Sequence, residues 1–403
     1  MREDAEGNAG DSDFEDFYAI IPAGGTGTRL WPLSRMDKPK FLYDLLGSGR
    51  TLLQSTYDRL SALAGGSHVA VSTGWRHMQA VRSQLAGLEE RNVFVEPVPR
   101  DSTAAIALAT AVLAKRYGDE IVVGSFAADH VIRDDEGFRE SVRQAVAAAR
   151  AGYVTTIGIA ASRPSTAFGY IRQGRSLASE IPDAPRARLA ESFVEKPDSS
   201  TAQAYLATGK YRWNAGMFVM RADVLLGRLK EFKPAMYDAI SRIADAYERA
   251  DEWGRLQAIA RDDASEGPDG AVDEAMARYW PGIEKIAFDY AVAEPLSAVG
   301  GVAMVPGDFG WDDIGDFNSV AALLASTGSG NMKILGNADM VESLDCAGDV
   351  VVPAAGRTIA LLGVDDMVVV DTVDALLVAP RARSQEVKDL VSYLEQEGRA
   401  DIL

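Results

Sequence analysis

Short apolar runs alternate with longer amphipathic stretches along most of this chain. Phe17-Tyr18-Ala19-Ile20-Ile21 is β-prone and runs into Pro22 and a glycine cluster, which predicts a buried strand entering a loop. Residues 51–64 carry Leu52, Leu53, Tyr57, Leu60 and Leu63 at roughly helical spacing. Strands are predicted at 68–72, 121–126 and 154–159, with helices at 103–116 and 136–151 between them. Ser200-Thr201-Ala202-Gln203 reads as a capping box that starts another helix. Residues 252–282 are charged and weakly patterned, and read as a helix–loop excursion. The alternation continues to about residue 325. It predicts an α/β fold, a doubly wound and mainly parallel sheet covered on both faces.

The pattern changes near Ser326-Thr327-Gly328-Ser329-Gly330. Beyond it, β-prone runs recur about every ten residues: 350–352, 359–362, 367–370 and 376–378. A last amphipathic stretch, 384–397, places Val387, Leu390, Val391 and Leu394 on one face, with Ser384 as a plausible cap. The expected organisation is a disordered acidic tail (1–15), an α/β domain (16–325), and a small β module with a terminal helix (326–403). No strict six-residue repeat is visible, so a full β-helix of the acyltransferase type is not expected.

Composition narrows the function classes. The 403 residues carry a net charge of −18, which opposes binding to nucleic-acid backbones or to an anionic membrane surface. No apolar run reaches about 18 residues, so no membrane helix is expected. The acidic N-terminal segment lacks the apolar stretch of a secretory signal. A single cysteine, Cys346, excludes an intrachain disulfide and fits a reducing, cytoplasmic compartment. With only His68, His77 and His130 beside it, a His/Cys zinc site is not expected, and His130 reads as a structural hydrogen-bonder.

The stretch PAGGTGTRLWPLSRMDKPK (22–40) carries the most chemistry. Glycines after a strand let backbone N–H groups surround a phosphate. Two familiar phosphate loops fail here. The dinucleotide-binding pattern needs a third glycine, but Leu30 follows Arg29, which also argues against a nicotinamide dehydrogenase. The Walker pattern needs a Gly-Lys-Ser/Thr that is absent. Arg29 and Lys40 are instead the fixed cations, a pairing suited to a triphosphate attacked at its α-phosphorus. Arg35 and Lys38 are weaker candidates.

This stretch resembles the signature of the sugar-phosphate nucleotidylyltransferases, and its LWPLSR…PKFL form resembles the mannose-1-phosphate guanylyltransferases in particular. EPVPRDSTAAIALA (96–109), FAADHVI (126–132), FGYI (168–171), FVEKPD (193–198), WNAGMFV (213–219), FDYAVAE (288–294) and GDFGWDDIG (307–315) follow in that family's order. VVVDTVDALLVAPR…QEVKDLV (368–391) resembles its C-terminal module. The resemblance covers about residues 17–395.

The resemblance implies that GMP passes from GTP to mannose 1-phosphate, giving GDP-mannose and pyrophosphate by in-line attack, with Mg²⁺ neutralising charge. It implies a catalytic set of Arg29, Lys40, Asp129 and Asp313, the two aspartates holding the metal; Asp312 is the less favoured ligand. Nucleotide binding falls to Gly24, Gly25, Thr26, Gly27, Thr28, Arg29 and Lys40, with Glu96, Arg100 and Thr103 toward the nucleoside. Sugar-phosphate binding falls to Gly169, Glu195, Lys196, Asn214 and Asp289. A homodimer through the C-terminal module is a further expectation. Two departures from the family pattern, at Asp101–Ala105 and at Ala287, leave another nucleotide and sugar 1-phosphate pair, such as one with glucose 1-phosphate, as the alternative. A non-catalytic regulatory relative is the more distant one.

Overall fold

The computed structural model of the chain describes residues 12–25, 27–260, 269–326 and 330–403. The chain packs as two compact units. One takes in the chain up to Gly24, Tyr57–Ala127 and Ile132–Trp311; the other takes in Gly25–Thr56, Ala128–Val131 and Asp312–Leu403. Among the described residues, no helix is long and apolar enough to cross a membrane.

The first unit is built on a sheet of nine strands among the described residues: β1 (Phe17–Ala23), β2 (Val69–Gly74), β3 (Val93–Glu96), β4 (Val122–Ser125), β5 (Val154–Ala160), β6 (Tyr170–Ser176), β7 (Arg188–Val194), β8 (Tyr211–Arg221) and β9 (Val302–Gly307). Their order is β3-β2-β1-β4-β8-β5-β9-β7-β6. The β3-β2-β1-β4 half is parallel, as the alternation predicts. The other half is mixed, because β8 runs antiparallel to β4, β5 and β6. A run buried on both faces looks the same in either direction, so periodicity carries no sign of this reversal.

Alternation along β1 shows how both faces are covered. Tyr18 and Ile20 join the large core that includes helix Asp101–Tyr117. Phe17 points the other way, edge-on to Phe126, which meets Phe138 of helix Asp135–Arg150. Of the predicted tail, residues 1–11 lie outside the described residues. Ser12–Phe14 forms a 3-10 turn, because Phe14 is apolar and packs on the Phe17 ring. The helix after β7 starts earlier than its sequence suggests: Asp198, not Ser200, caps it, accepting the Thr201 N–H at 2.8 Å. Part of the 252–282 excursion also lies outside the described residues; on either side of that gap, Pro234–Ala260 and Asp269–Tyr279 are helical.

The second unit holds six short strands among the described residues: β10 (Lys333–Ile334), β11 (Val341–Leu344), β12 (Val350–Pro353), β13 (Ile359–Leu362), β14 (Met367–Asp371) and β15 (Leu376–Pro380). Residues 327–329, at the predicted boundary, lie outside the described residues. β10, β12 and β14 pair in parallel, as do β11 and β13. The module is therefore a short parallel coil. One turn takes 18 residues, from Val350 to Val368 and from Val341 to Ile359. Valines recurring at that distance do not register as a six-residue repeat. Ser384 does not cap the last helix. It lies buried in a 3-10 turn, Arg381–Glu386, that runs straight into helix Val387–Gln396. The core of this unit joins Leu30, Trp31 and Leu33 to Val350, Val352, Val368 and Val370.

Gly124 of β4 has no room for a side chain: a Cβ there would lie 2.6 Å from the Phe126 ring and 2.7 Å from the Phe17 ring. Gly124→Ala is expected to destabilise the fold by about 1–3 kcal/mol, the usual cost of overpacking a close-packed core. Urea denaturation measures it; an unchanged midpoint would show that both rings can give way freely.

Candidate active site

Lys40 organises the phosphate-loop side, and its partners all lie in the second unit. Gly27 is left-handed (φ 68°), and a Cβ on it would fall 2.9 Å from Lys40 Cγ. Glycine is needed both for the turn and for the lysine stem laid across it. The Lys40 ammonium meets Asp129 Oδ2 at 3.0 Å and donates to the carbonyl oxygens of Asp313 (2.6 Å) and Ile314 (3.1 Å). An ammonium has three donors, and all three are used. Burial pushes the Asp129 pKa up, but Lys40 and His130 outweigh it and hold the carboxyl below its usual range.

Arg29 contrasts with Lys40. Its Nε is buried without a hydrogen-bond partner among the described residues. Gly24, Gly25 and Thr28 are exposed, and Thr26 lies outside the described residues. The weaker cations are committed elsewhere. Arg35 pairs with Asp374 at 2.7 Å, and Lys38 sits 4.3 Å over the Tyr43 ring.

Asp312 and Asp313 divide their work. Asp312 Oδ1 accepts the Ile314 N–H at 2.8 Å and so belongs to the turn. That turn holds Ile314 at φ 43°, a strained state for a β-branched residue. The Asp313 carboxylate accepts no hydrogen bond from the described residues. Burial raises its pKa, opposed by Lys40 and His130 and reinforced by Asp312 and Asp129. Asp129 and Asp313 thus sense each other's charge, as two carboxylates that share a cation do. No cluster of three or more acidic, histidine or cysteine side chains stands ready for a metal among the described residues. Two carboxylates still fit Mg²⁺, which takes one or two and fills the rest with waters and phosphate oxygens.

In the first unit, the segment after β3 is tied to a distant stretch. Arg100 Nη2 donates to the Pro281 carbonyl, Thr103 Oγ1 to the Ile286 carbonyl, and the Phe288 N–H to Ser102 Oγ. The two departures from the family pattern, at 101–105 and at Ala287, therefore lie against each other. Asp101 is left-handed there (φ 67°). Glu96 is buried and accepts from Ser72 Oγ at 3.1 Å. Burial pushes its pKa up to about 7.

The five predicted sugar-side residues come together in the same unit. The Asn214 N–H donates to the Gly169 carbonyl at 2.8 Å. A Cβ on Gly169 would crowd Glu195 Oε2 at 2.4 Å, an oxygen that is buried with no partner among the described residues. Asn214 Nδ2 donates to Asp289 Oδ1 at 2.7 Å. Glu195 and Lys196 would point apart in a strand, but β7 stops at Val194 and Lys196 turns left-handed (φ 46°). Its Nζ then reaches Glu195 Oε1 at 3.1 Å. Burial and the Glu195 charge push the Asp289 pKa up to about 7.

Comparison with known proteins gives the family. Residues 18–328 match the Nucleotidyl transferase family, and residues 340–394 match the MannoseP isomerase/GMP-like beta-helix domain. The chain belongs to the nucleotidyl transferase family. It is 37% identical to the mannose-1-phosphate guanylyltransferase of Escherichia coli K12, over 95% of this chain and 74% of that one. It is 35% identical to the xanthan biosynthesis protein XanB of Xanthomonas campestris, over 96% and 75%. A solved structure from Thermus thermophilus, described as a mannose-1-phosphate geranyltransferase, superposes with a TM-score of 0.75 at 32% identity, over 94% of this chain and 99% of that one. The beta-helix match agrees with the 18-residue coil, which is a short module and not a full β-helix of the acyltransferase type.

Within this nucleotidyl transferase, sequence reasoning passes over three supporting residues. Thr156 Oγ1 donates to Asn214 Oδ1 at 2.7 Å and orients its amide; a polar residue inside the run 154–159 is its only trace. Glu294 ends the FDYAVAE motif and accepts the Glu195 N–H at 2.8 Å. Ile314 leaves no sequence signal, because its strain is visible only in the backbone.

Glu96 gives a pH test. Its folded pKa is raised, so the fold favours the neutral acid. The stability this protects is complete below the unfolded value of 4.5 and is lost as pH rises to about 7. The loss is on the order of 3 kcal/mol. Glu96→Gln is expected to flatten the stability profile between pH 4.5 and 7 relative to the wild type, measured by urea denaturation across that range. Parallel profiles would mean that Glu96 ionises normally.

Proposed function

We propose that this protein transfers GMP from GTP to mannose 1-phosphate, releasing pyrophosphate and forming GDP-mannose. The family match and the guanylyltransferase relatives support the reaction class. The observation that carries the site is the contrast between the two loop cations: the Lys40 ammonium is bonded to Asp129 and the 313–314 turn, while Arg29 Nε has no partner among the described residues, which suits a cation whose partner is the ligand. Such a reaction needs no covalent intermediate. An oxygen of the sugar phosphate forms a bond to the α-phosphorus as the bond to pyrophosphate breaks, so positioning and charge neutralisation do most of the work.

In this reading Arg29 and the backbone of Gly24–Thr28 hold the triphosphate. Lys40 keeps Asp129 and the 313–314 turn in place. Lys196 takes the sugar phosphate, and Glu195 Oε2, Gly169, Asn214 and Asp289 surround its hydroxyls. Glu96, Arg100 and Thr103 serve the nucleoside side, Arg100 and Thr103 by fixing the 281–286 segment. Nucleotidyl transferases of this family typically use a divalent metal. Asp129 and Asp313 would hold Mg²⁺ here, which would offset the negative charge of the phosphates. A reducing, cytoplasmic setting fits the single cysteine. The exposed Leu376, Val378 and Leu362 of the C-terminal coil support its use as a homodimer face.

Pyrophosphate release with Mg²⁺, scanning GTP, ATP, UTP and dTTP against mannose 1-phosphate and glucose 1-phosphate, tests the proposal. GTP with mannose 1-phosphate should be turned over fastest, and Asp313→Ala should remain folded while losing roughly a hundredfold or more in kcat. A maximum at another pair would leave the reaction class and move the error to the 96–105 and 287–290 segments. Binding of both ligands without turnover would favour a regulatory relative.

A further inference from the structure

Lys196 is held in a conformation that its own sequence resists. A non-glycine residue rarely takes positive φ, and the residue before a proline is confined further. Lys196 precedes Pro197 and has φ 46°. Such strain persists only where the surroundings over-determine it. A restraint lies in the Glu294 carboxylate, whose Oε1 accepts the Glu195 N–H at 2.8 Å, one residue before the strained position.

The element that carries Glu294 is itself unusual. Asp289–Ala293 is a π-helical turn, and Glu294–Ala298 continues it as α-helix. π-turns are rare and often sit at functional sites. From this one segment Asp289 accepts from Asn214 Nδ2 and Glu294 accepts from the Glu195 backbone. Two parts of the proposed sugar side are thereby bonded to one continuous helical segment.

We propose that Glu294 is a positioning residue for the sugar phosphate, fixing the Glu195 backbone so that Lys196 stays left-handed with its ammonium on the site. The proposal rests on the reading of Lys196 given above. It needs no contact between Glu294 and the substrate.

Steady-state kinetics on Glu294→Ala, Lys196→Ala and the double variant test it. Lys196→Ala is expected to raise the KM for the sugar 1-phosphate at least tenfold. Glu294→Ala should do the same while the KM for GTP stays within twofold. Glu294→Gln, which keeps an acceptor oxygen, should fall within threefold of the wild type. The double variant should be no worse than Lys196→Ala alone, because Glu294 acts through Lys196. If the alanine variant does not fold, Glu294→Asp retracts the carboxylate by one methylene and should show a milder version of the same split. A sugar KM raised by Lys196→Ala but untouched by Glu294→Ala, or multiplicative losses in the double variant, would overturn the positioning role. An unchanged sugar KM in Lys196→Ala would overturn the site reading and the inference with it.

Discussion

One ammonium holds three stretches of chain together. Lys40 comes from the glycine-loop segment, Asp129 from the short segment after β4, and Asp313 and Ile314 from the segment that leads into the coil. These are the three segments that make up the second unit. The arrangement is costly to break. Removing one partner of a mostly buried ion pair leaves an uncompensated charge, typically about 3–5 kcal/mol. It also stabilises the left-handed Ile314, whose carbonyl points at the ammonium and whose N–H is taken by Asp312. A hydrophobic side chain in a strained backbone state is tolerated because Ile314 is fully buried in the core of this unit.

The cluster of Gly169, Glu195, Lys196, Asn214 and Asp289 in the first unit follows the same logic with different parts. Strain sits at Lys196, and a carboxylate on a neighbouring helix restrains the residue before it. Asn214, held by Thr156 and Asp289, has its amide orientation fixed before any ligand arrives. Glu195 Oε2 is left buried without a donor among the described residues, a cost of the kind that functional sites bear for the sake of binding. With Lys196 and Arg29 as the anion-binding cations of the proposed function, the charge problem is answered locally. A chain with net charge −18 repels phosphates in general and must attract them at chosen points.

Much of this was legible in the residues because it is local. Apolar alternation locates β1, β2, β4 and β5 and the helices Leu52–Ala64, Asp101–Tyr117 and Asp135–Arg150, but not the short helix Met78–Gln84. The glycine cluster marked a phosphate loop, and the resemblance brought Gly169, Glu195, Lys196, Asn214 and Asp289 forward as a group. What was not legible depends on partners far apart in the chain. Nothing in the local sequence shows that Ser102 will bond the Phe288 backbone, that Lys40 will spend its donors on Asp129 and a distant turn, or that Glu294 will reach Glu195. Strand direction was hidden for a related reason: β8 is buried on both faces, and burial does not encode polarity. Ser200-Thr201-Ala202-Gln203 has a cap's composition and masks the cap at Asp198, where the carboxylate two residues earlier already takes the Thr201 N–H.

Amide hydrogen exchange on Lys40→Met tests the organising role of the ammonium most directly, since methionine keeps the stem and removes the charge. Protection is expected to fall at Val131, Asp312 and Ile314, whose N–H groups bond within the knot, while Val351 and Val369 in the coil keep theirs. Unchanged protection at Val131 and Asp312 would contradict that role, and would mean that the bridge between these segments stands without the lysine.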